Sequence, residues 1–472
     1  MGHPLERFYP YVPVWMQNAG ISLYGLMYRH ERLGGGFDRH VAGFRERDKW
    51  SAEQMRDYVD VELRRVLVRA FEQVPYYQRR WKAEGITRQQ LERMTWADLP
   101  KLPVTPKRDL RAAPEDFVAC DIAGRRKLHR YYSSGSTGTP VMSICTSEDH
   151  RRYIAAREVR SFGWAGSSVR RPRSMIGGRL VVPRGVAKPP FYRYNSTERQ
   201  VYFSAYHIAP DHVANYVAGF QKHQPRLLTG YAYSHYLLAR MMTEQRLSLQ
   251  YTPEAAVLGS EKLTPTMKRV IQQAFGTRAY EEYGAVENCM LATECEFGQL
   301  HVSPDFGVLE LTDASGTPVK PGVEGRVLCT SLVSEAQPLI RYEVGDAGIW
   351  SEARCACGRD QLPLLQEIVG RLEDVVVAPD GRELVRFHWV FVDLPYVLEG
   401  QVVQESLDRL TLNLVVNPGY GLAEELVIRD RFKQRLGPIH LEIRVLPEIP
   451  RTERGKFRAV ISKLHPKRNG DK

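Results

Sequence analysis

Residues 131–140 read YYSSGSTGTP, an aromatic strand end followed by a short loop of serine, threonine and glycine. Glycine removes the Cβ atom that would keep a large anion at a distance, and backbone N–H groups and hydroxyls can then surround phosphate oxygens. The loop lacks the G-x-x-x-x-G-K-[ST] pattern of a Walker loop. A Ser/Gly-rich segment alone is more often a linker or a turn, so the rest of the chain must decide whether this loop binds phosphate.

Length, composition and charge describe an ordinary globular protein. At 472 residues the chain exceeds what one hydrophobic core usually holds, which favours a large domain and at least one smaller one. Its residues are 43% hydrophobic and 26% charged, unlike those of disordered or fibrous chains. The formal net charge is +11, but the basic residues are scattered. We therefore expect an anionic small molecule such as a nucleotide as partner, and no nucleic acid.

Targeting signals and cysteines bear on the cellular compartment. Neither a signal-peptide pattern nor a run of about 18 apolar residues occurs, so we expect a cytoplasmic protein without stable membrane insertion. Residues 11–28 are apolar enough to touch a membrane surface, but Gln17 and Asn18 interrupt them, which favours packing on the protein body. Seven cysteines without a secretory signal argue against disulfides, and for a metal where the cysteines cluster.

Hydrophobic periodicity predicts a large mixed α/β domain. Ser51 and Gln54 form a capping-box pattern, and apolar residues then recur at helical spacing up to Val74. The region up to about residue 110 is predicted to be helical. Beyond it, short apolar strands such as 256–258 alternate with helical stretches such as 265–275, which indicates a mixed α/β body.

The last hundred residues have the pattern of a small α+β domain. Two short strands at 374–378 and 383–385 flank a Pro-Asp-Gly turn, and a helix is predicted at 422–436. We therefore expect a large N-terminal domain of residues 1–370 and a small C-terminal domain of residues 371–472.

Four segments after the opening loop occur in the order and approximate spacing of a known superfamily. They are EYGAVE (282–287), RYEVGD (341–346), GRLED (370–374) and PRTERGK (450–456). The chain resembles, over nearly its whole length, the adenylate-forming superfamily of acyl-CoA ligases, luciferases and peptide-synthetase adenylation domains. Within it the chain is most similar to the phenylacetate–CoA ligase-like branch, particularly the CapK-type proteins associated with capsule or exopolysaccharide synthesis. That likeness rests on VPYY (74–77), NSTERQ (195–200) and CACGR (355–359).

The resemblance implies an ATP site built around the opening loop. The residues expected to contact phosphate are Ser133, Ser134, Gly135, Ser136, Thr137 and Gly138. The residues expected around the rest of the nucleotide are Gly259, Ser260, Glu261, Glu282, Tyr283, Gly284, Asp346 and Arg371. Tyr283 should stack on adenine. Asp346 should accept hydrogen bonds from both ribose hydroxyls, because a carboxylate offers two acceptor oxygens.

Three further roles follow from the same resemblance. Lys456 is expected to be catalytic, because its compact ammonium can bridge the attacking carboxylate and the α-phosphate as charge develops. Glu287 is expected to hold Mg²⁺ against the phosphates. Glu373 matches the hinge about which the small domain rotates between half-reactions. Without the resemblance, each of these would be read as an ordinary surface residue.

Two segments together supply three cysteines and one histidine: Cys295, His301, Cys355 and Cys357. Such a set is typical of a closed structural Zn²⁺ site, because four protein ligands leave no position for water. The spacing is unlike that of a zinc finger, so the residues alone leave a plain set of buried cysteines as an equal alternative. The resemblance favours zinc, because members of this branch look to carry it at such positions.

Other positions concern the substrate and the departures from the family pattern. Tyr231, Tyr233 and His235 are candidates for lining a pocket for an aromatic acid, and the alternative is an aromatic helix start packed in the core. Thr139 stands where many relatives have a lysine, and Val286 where a threonine usually contacts the α-phosphate. Both changes remove polar contacts to phosphate.

The sequence therefore predicts a two-step ligase. A small-molecule carboxylic acid and MgATP give an acyl-adenylate and pyrophosphate, and an acceptor then displaces AMP. Coenzyme A is the acceptor that the resemblance favours. The alternatives are transfer to an amine of a sugar or amino acid, and a non-catalytic nucleotide-binding scaffold. The identity of the acid and the oligomeric state stay open, with a homodimer as one option.

Overall fold

The computed structural model describes residues 9–124, 127–132, 141–183, 186, 188–260, 262–369, 376–380, 383–384, 387, 390–391, 394, 396–447, 449 and 460–464. Internal contacts divide the chain into two compact units. The first comprises Met1–Lys107, Glu115–Arg130 and Ile144–Gly370, and the second Arg108–Pro114, Tyr131–Ser143 and Arg371–Lys472. The predicted boundary between residues 370 and 371 stays a prediction, because residues 370–375 lie outside the described ones.

The α-helices follow local signals in the sequence. Ser51 caps its helix through the predicted capping box, because its hydroxyl accepts from the N–H of Gln54 and the Gln54 side chain accepts from the N–H of Ser51. Pro265 opens another helix at the predicted position. The α-helices of the described residues are α1 (Val14–Leu33), α2 (Phe37–Arg47), α3 (Ala52–Gln73), α4 (Pro75–Ala83), α5 (Arg88–Leu91), α6 (Lys107–Ala112), α7 (Ser147–Ala156), α8 (Val213–His223), α9 (Ala232–Glu244), α10 (Pro265–Phe275) and α11 (Leu422–Leu436).

Shorter helical turns and strands complete the described elements. A π-helical segment spans Arg157–Phe162, and 3₁₀ turns span Tyr9–Tyr11, Trp96–Lys101, Pro114–Phe117 and Pro210–His212. The strands are β1 (Leu128–Tyr132), β2 (Met142–Thr146), β3 (Arg173–Gly177), β4 (Tyr192–Asn195), β5 (Gln200–Ser204), β6 (Leu227–Tyr231), β7 (Ala255–Gly259), β8 (Ala279–Gly284), β9 (Leu291–Glu294), β10 (Leu300–Val302), β11 (Gly307–Thr312), β12 (Glu324–Ser331), β13 (Tyr342–Trp350), β14 (Leu364–Ile368), β15 (Val376–Val377), β16 (Glu383–Leu384), β17 (Val397–Ser406), β18 (Arg409–Val416), β19 (His440–Val445) and β20 (Val460–Ser462).

A mixed sheet of 12 strands dominates the first unit, in the order β11-β12-β13-β14-β10-β9-β8-β7-β6-β3-β5-β4. The neighbours from β8 through β7, β6 and β3 to β5 run parallel, and the strands on either side of this part are antiparallel. Parallel strands end at a common edge, so their last residues form a row. Gly230, just before the end of β6, has a φ of 123° and a Cβ there would collide with the carbonyl of Ile176 on β3, so only glycine fits.

Both faces of the parallel strands are covered, as a sheet of this type requires. On β7, Ala256 and Leu258 pack in a core with helices α8, α9 and α10, whereas Ala255 and Val257 pack in a second core with helices α2 and α7. The alternation follows from the two-residue period of a strand. The apolar run that predicted this strand therefore reflects burial on two sides.

The second unit contains a smaller α+β arrangement. Strands β19, β18, β17 and β20 form a four-stranded sheet in that order. Helix α11 covers it, with Ile428, Phe432 and Leu436 buried against leucines of β18. The helix predicted at residues 422–436 is confirmed. Strands β15 and β16 form a separate two-stranded sheet in this unit.

Candidate functional site

Strands β6, β7 and β8 end side by side at the carboxyl edge of the parallel strands. In the register of the sheet, Tyr231 lies opposite Gly259, and Gly259 lies opposite Glu282. Neighbouring strands are about 4.8 Å apart, so these three positions span roughly 10 Å. Open α/β sheets bind ligands outside this edge. The segments predicted to contact adenine, 259–260 and 282–284, are therefore neighbours, and Tyr231 is next in the row.

The backbone at the end of β7 is closely packed. A Cβ at Gly259 would collide with the carbonyl oxygen of Glu282, so a side chain has no room there. Ser260 follows with a φ of 67°, a left-handed conformation in which the chain turns out of the sheet. Glu261, the third residue predicted in this segment, lies outside the described residues. The turn thus brings main chain, rather than a bulky side chain, to the edge of the sheet.

The adjacent acidic residues of β8 are tied to different neighbours. Glu282 forms an ion pair with Arg157, whose Nε lies 2.8 Å from Oε2 of the carboxylate. Glu281 accepts a hydrogen bond from the N–H of Leu263 at 3.3 Å, and burial raises its pKa. Successive strand residues point to opposite faces, which accounts for the separate partners. The pair therefore does not form one joint acidic site.

Tyr283 and Asp346 contact each other directly. The hydroxyl of Tyr283, on β8, donates a hydrogen bond to Oδ2 of Asp346, on β13, with an O···O distance of 3.0 Å. Both side chains are half-buried. Gly345, with a φ of 90°, sets the backbone before Asp346 in a conformation that favours glycine. The residues predicted for adenine and for ribose are thus joined by one hydrogen bond, and the hydroxyl occupies one acceptor position of the carboxylate.

Glu287 lies buried near the start of β13. The hydroxyl of Tyr342 donates to its Oε1 at 3.0 Å, and the ammonium nitrogen of Lys107 lies 3.8 Å from the same oxygen. Lys107 also donates to the carbonyl of Val344 at 2.7 Å. The sequence did not single out Lys107, because it is far from Glu287 along the chain and belongs to none of the segments that carry the resemblance. Only the fold brings this cation to the carboxylate.

Arg341 anchors the start of β13. Its buried guanidinium contacts the carboxylate of Glu310 at 3.0 Å and donates to the carbonyls of Leu102 at 2.5 Å and Gly316 at 2.6 Å. The guanidinium is therefore engaged in contacts that hold the fold together. Arg341 therefore positions the start of the strand that carries Asp346.

The three candidate pocket residues have different environments. Tyr231 ends β6 in the row of strand ends, and its hydroxyl lies where a side chain at Gly178 would collide with it. Tyr233 packs beside Tyr236, with ring centroids 5.8 Å apart. His235 is fully buried, its Nδ1 lies 2.8 Å from the carbonyl oxygen of Tyr231, and burial lowers its pKa to about 4.

His235 is the most deeply buried of the three candidates. Its ring packs 6.3 Å from that of Phe275 in the core between the sheet and helix α10. Its burial favours the alternative of core packing, and a role of His235 in the substrate pocket stays a prediction. Tyr231 is the member of the set that reaches the edge of the sheet.

The four residues of the Cys₃His set lie together, and their ligand atoms are all within 4.8 Å of one another. The sulfurs of Cys295 and Cys355 are 3.5 Å apart, and the sulfur of Cys357 is 3.3 Å from Nε2 of His301. Tetrahedral coordination with Zn–S bonds of about 2.3 Å would place sulfurs roughly 3.7 Å apart. Three of the residues are buried and Cys357 is partly buried. Both the donor set and the spacing fit a closed zinc site.

Surrounding residues orient the histidine of this cluster. Nδ1 of His301 lies 3.2 Å from the carbonyl oxygen of Leu362, which leaves Nε2 for the cluster. The ring of Trp164 meets the His301 ring edge to face at 5.8 Å, and the guanidinium of Arg359 lies 4.4 Å from the Trp164 ring. Arg359 in turn pairs with Glu296 at 2.9 Å. Such outer partners fix the tautomer and direction of a ligating histidine.

Comparisons with known proteins agree in one family. A family model described as the CapK C-terminal domain matches residues 381–463. Protein CapK of Staphylococcus aureus is 25% identical over 474 residues, covering 98% of this chain and 100% of that protein. Phenylacetate-coenzyme A ligase of Thermus thermophilus is 26% identical over 469 residues, covering 87% of this chain and 96% of that protein. The chain is thus similar over nearly its whole length to CapK and to a phenylacetate-coenzyme A ligase.

The solved structure of 2-hydroxyisobutyryl-CoA ligase in complex with 2-HIB-AMP and CoA in the thioesterification state supports the fold. It has a TM-score of 0.60 and 22% identity, and covers 88% of this chain and 91% of that chain. The predicted fold, a large mixed α/β domain with a small α+β C-terminal domain, is confirmed. The predicted likeness to the phenylacetate–CoA ligase-like branch and to CapK is confirmed as well.

Several adenylate-forming motifs lie outside the described residues. They are the loop residues Ser133, Ser134, Gly135, Ser136, Thr137 and Gly138 with Thr139, together with Glu261, Arg371, Glu373 and Lys456. The described part of the candidate site therefore consists of the strand ends from Tyr231 to Tyr283 and of Asp346 and Glu287, and its role in adenylation stays a prediction. None of the helices among the described residues combines the length and apolar character that crossing a membrane requires.

The expectation of no disulfide is wrong. Cys289 and Cys329 form one, and both are fully buried. Cys289 follows β8 and Cys329 belongs to β12, and only the tertiary fold brings residues with a sequence separation of 40 together. The number of cysteines in the sequence cannot reveal such a pairing. Neither Cys289 nor Cys329 belongs to the Cys₃His cluster.

Proposed function

We propose that this chain activates a carboxylic acid with ATP, giving an acyl-adenylate and pyrophosphate, and then transfers the acyl group to coenzyme A. The observation that carries the proposal is the hydrogen bond between Tyr283 and Asp346 at the carboxyl edge of the sheet. Relatives named phenylacetate-coenzyme A ligase, from Thermus thermophilus and Escherichia coli, support an AMP-forming acid ligase.

Asp346 is assigned to the ribose and Tyr283 to the adenine. The carboxylate offers two acceptor oxygens for the two ribose hydroxyls, and the Tyr283 hydroxyl occupies one position. Ribose binding therefore exchanges one neutral hydroxyl donor for another. Both hydrogen bonds join a neutral hydroxyl to the same carboxylate oxygen, so the exchange costs little. The released ring of Tyr283 then stacks on adenine beside Gly259.

Glu287 is assigned to Mg²⁺, because carboxylate oxygens are the ligands this ion prefers. The buried carboxylate has two described contacts, to Tyr342 and Lys107, and both are made to Oε1. Oε2 is the oxygen we assign to the ion. Tyr342 fixes the carboxylate, and the Lys107 ammonium lies beside the same oxygen. When bound, Mg²⁺ supplies charge neutralisation at the phosphates.

The remaining proposed contacts lie outside the described residues. Residues 133–138 are assigned to the phosphates, Arg371 to ribose or phosphate, and Glu373 to the hinge. Lys456 is assigned to the developing charge between the attacking carboxylate and the α-phosphate. Thr139 and Val286 offer fewer polar contacts to phosphate than the usual lysine and threonine. We therefore assign the cationic contacts to the phosphates to Mg²⁺, Arg371 and Lys456.

We assign the acyl group to the end of the row of strand ends at which Tyr231 lies. Tyr231 is the next strand end after Gly259, so an acyl chain that extends from the α-phosphate along the sheet edge reaches it first. Gly178 keeps the space beside the Tyr231 hydroxyl free of a side chain, and Tyr206 donates to the carbonyl of Gly178 at 2.8 Å. These tyrosines support a small or aromatic acid as the substrate class.

The Cys₃His cluster is assigned to a structural Zn²⁺. The four donors that meet within 4.8 Å support this choice, since four protein ligands fill a tetrahedral ion and leave no site for a substrate. Cys295 and His301 flank the turn between β9 and β10, and Cys355 and Cys357 lie in the loop before β14. The ion would therefore fasten one loop to the other at the edge of the central strands.

Pyrophosphate release from ATP tests the catalytic proposal, measured with a panel of aryl, fatty and amino acids, with and without coenzyme A. We expect release that depends on one class of acid and that Lys456→Ala reduces by at least about 100-fold. The matched control is Lys463→Ala, which removes an exposed lysine paired with Glu405.

Each result of this experiment has a defined meaning. No release with any acid contradicts the ligase and favours a nucleotide-binding scaffold. The mass of the final product identifies the acceptor. An acyl-CoA product supports the proposal. An amide of a sugar or amino acid would show that the acceptor is an amine and not coenzyme A.

A further inference from the structure

Helix α1 (Val14–Leu33) attaches to the protein through polar side chains. Gln17 is 4% exposed, donates to two backbone carbonyls at 2.9 Å and accepts a hydrogen bond from Arg193. Asn18 accepts a hydrogen bond from the N–H of Tyr194 at 3.0 Å. Both partners belong to β4. The two polar residues that interrupt the apolar run in the sequence thus face the protein. The outer side of the helix is left with the apolar residues of that run.

The outer side of this helix carries large apolar residues. Their exposed fractions are Trp15 70%, Met16 43%, Leu23 74%, Tyr24 56%, Leu26 60% and Met27 48%, and Tyr11 just before the helix is 86% exposed. At about 100° per residue, the six helical side chains cover roughly 180° of the circumference. A seam against one other helix is narrower than this. The face has the breadth expected of a helix that lies in an extended apolar medium.

Among the described residues, the charged side chains named next to this face are basic or paired. No aspartate or glutamate occurs between residues 9 and 30, and Arg29 and His30 are exposed at the end of the face. Glu31, the first acidic residue after it, is paired with Lys127. Arg179 lies beside the helix, with its guanidinium 5.7 Å from the ring of Tyr28. The formal net charge of the whole chain is +11. The apolar face therefore lies in positive surroundings.

We propose that the outer face of α1 binds the surface of a membrane that contains anionic lipids, with the helix parallel to the interface. Trp15 and Tyr11 are of the types enriched at the boundary between headgroups and acyl chains. Leu23, Leu26 and Met27 supply the apolar side chains that enter that boundary, and nearby basic residues attract anionic headgroups. The breadth of the face and its basic surroundings favour lipid over a second copy of the chain, which is the competing occupant.

Co-sedimentation of the full chain with lipid vesicles tests this proposal. One set of vesicles consists of phosphatidylcholine, and the other contains about 30% phosphatidylglycerol in addition. We expect the chain to bind the anionic vesicles at least about tenfold more strongly. The double variant L23D/L26D places two carboxylates on the face and should lower this binding by about tenfold or more. Arg29→Glu should weaken binding to the anionic vesicles only.

The matched control is Val61→Asp, which adds a carboxylate at an apolar position of α3 that is 54% exposed. This variant should bind vesicles as the parent chain does. Melting temperatures within a few degrees of the parent exclude misfolding as the cause. Acid-dependent pyrophosphate release should be unchanged in the double variant, so the membrane proposal and the catalytic proposal fail independently.

Two results would overturn the membrane assignment. The first is equal vesicle binding by the parent and L23D/L26D. The second is a parent chain that ignores vesicles but forms a dimer in light scattering, which L23D/L26D converts to a monomer; the occupant is then a second copy. Equal binding to neutral and anionic vesicles would remove the role of the basic residues.

Discussion

Two polar clusters of the same sheet, the carboxylates Asp346 and Glu287 and the Cys₃His set, are built in opposite ways. Asp346 accepts a hydrogen bond from the hydroxyl of Tyr283, a neutral donor that a ligand can replace, and Glu287 accepts one from Tyr342 at Oε1 only. The four Cys₃His donors lie within 4.8 Å of one another and mainly contact each other. Exchangeable partners suit a site that binds and releases a nucleotide, whereas a closed donor set suits a site that holds two loops together.

The surroundings of the Cys₃His set are also more deeply buried than the contact between Tyr283 and Asp346. Next to the Cys₃His set, the fully buried Arg160 contacts Asp305 at 2.5 Å and Asp48 at 2.9 Å, and Asp48 also accepts from the indole N–H of Trp164 at 3.0 Å. Trp164 is the ring that meets His301. Breaking one member of a buried ion pair is costly, so this frame resists movement. The hydrogen bond between Tyr283 and Asp346, by contrast, joins two side chains that are only half-buried.

The largest effect that would test this contrast is expected from Asp346→Asn. Asparagine offers one acceptor oxygen, so it cannot take both ribose hydroxyls, but it still accepts the Tyr283 hydrogen bond. We expect acid-dependent pyrophosphate release to fall by about 100-fold or more, because hydrogen bonds to a charged group contribute about 1.5–3 kcal/mol each. Zinc content and melting temperature should stay as in the parent. Activity within a few-fold of the parent would mean that Asp346 does not bind the ribose.

The next effect is expected from Cys355→Ser, which removes one thiolate from the closed set. We expect well under one zinc per chain by metal analysis and a melting temperature lower by about 5 °C or more, because metal binding contributes to folding. The control is Cys145→Ser, which changes a thiol that is 3% exposed outside the cluster and should leave zinc unchanged. If the parent holds no zinc, or if Cys355→Ser keeps it, the cluster is a set of buried thiols.

Local sequence patterns predicted several of the helices correctly. The capping box at Ser51, the helix at Pro265–Phe275 and the helix at Leu422–Leu436 were predicted from spacing and caps alone, because these signals act within a few residues. The orientation of α1 was not predictable in this way. Apolar residues lie on most of its circumference, and hydrogen bonds of Gln17 and Asn18 to β4 decide which side faces the protein.

The candidate site shows the same limit. Motif order indicated Tyr283, Asp346 and Glu287, but not Lys107, which approaches Glu287 only through the tertiary fold. The cysteine and histidine types suggested a metal, yet their proximity depends on the pairing of β10 with β9 and β14. Which carboxylate has which partner is likewise a property of strands that are distant in sequence. Residue types can thus indicate the chemistry, and the sheet determines which of them meet.

The smallest expected effect concerns the exchange of hydrogen bonds at Asp346. Tyr283→Phe keeps a ring that can stack on adenine and removes the hydroxyl that ribose must displace. We expect the KM for ATP to fall by about fivefold, corresponding to about 1 kcal/mol, with kcat changed little. Tyr342→Phe is the comparison, because it removes the donor to Glu287 and should instead lower kcat. A higher KM in Tyr283→Phe would show that the hydroxyl contacts the nucleotide, and the exchange of partners at Asp346 would then be wrong.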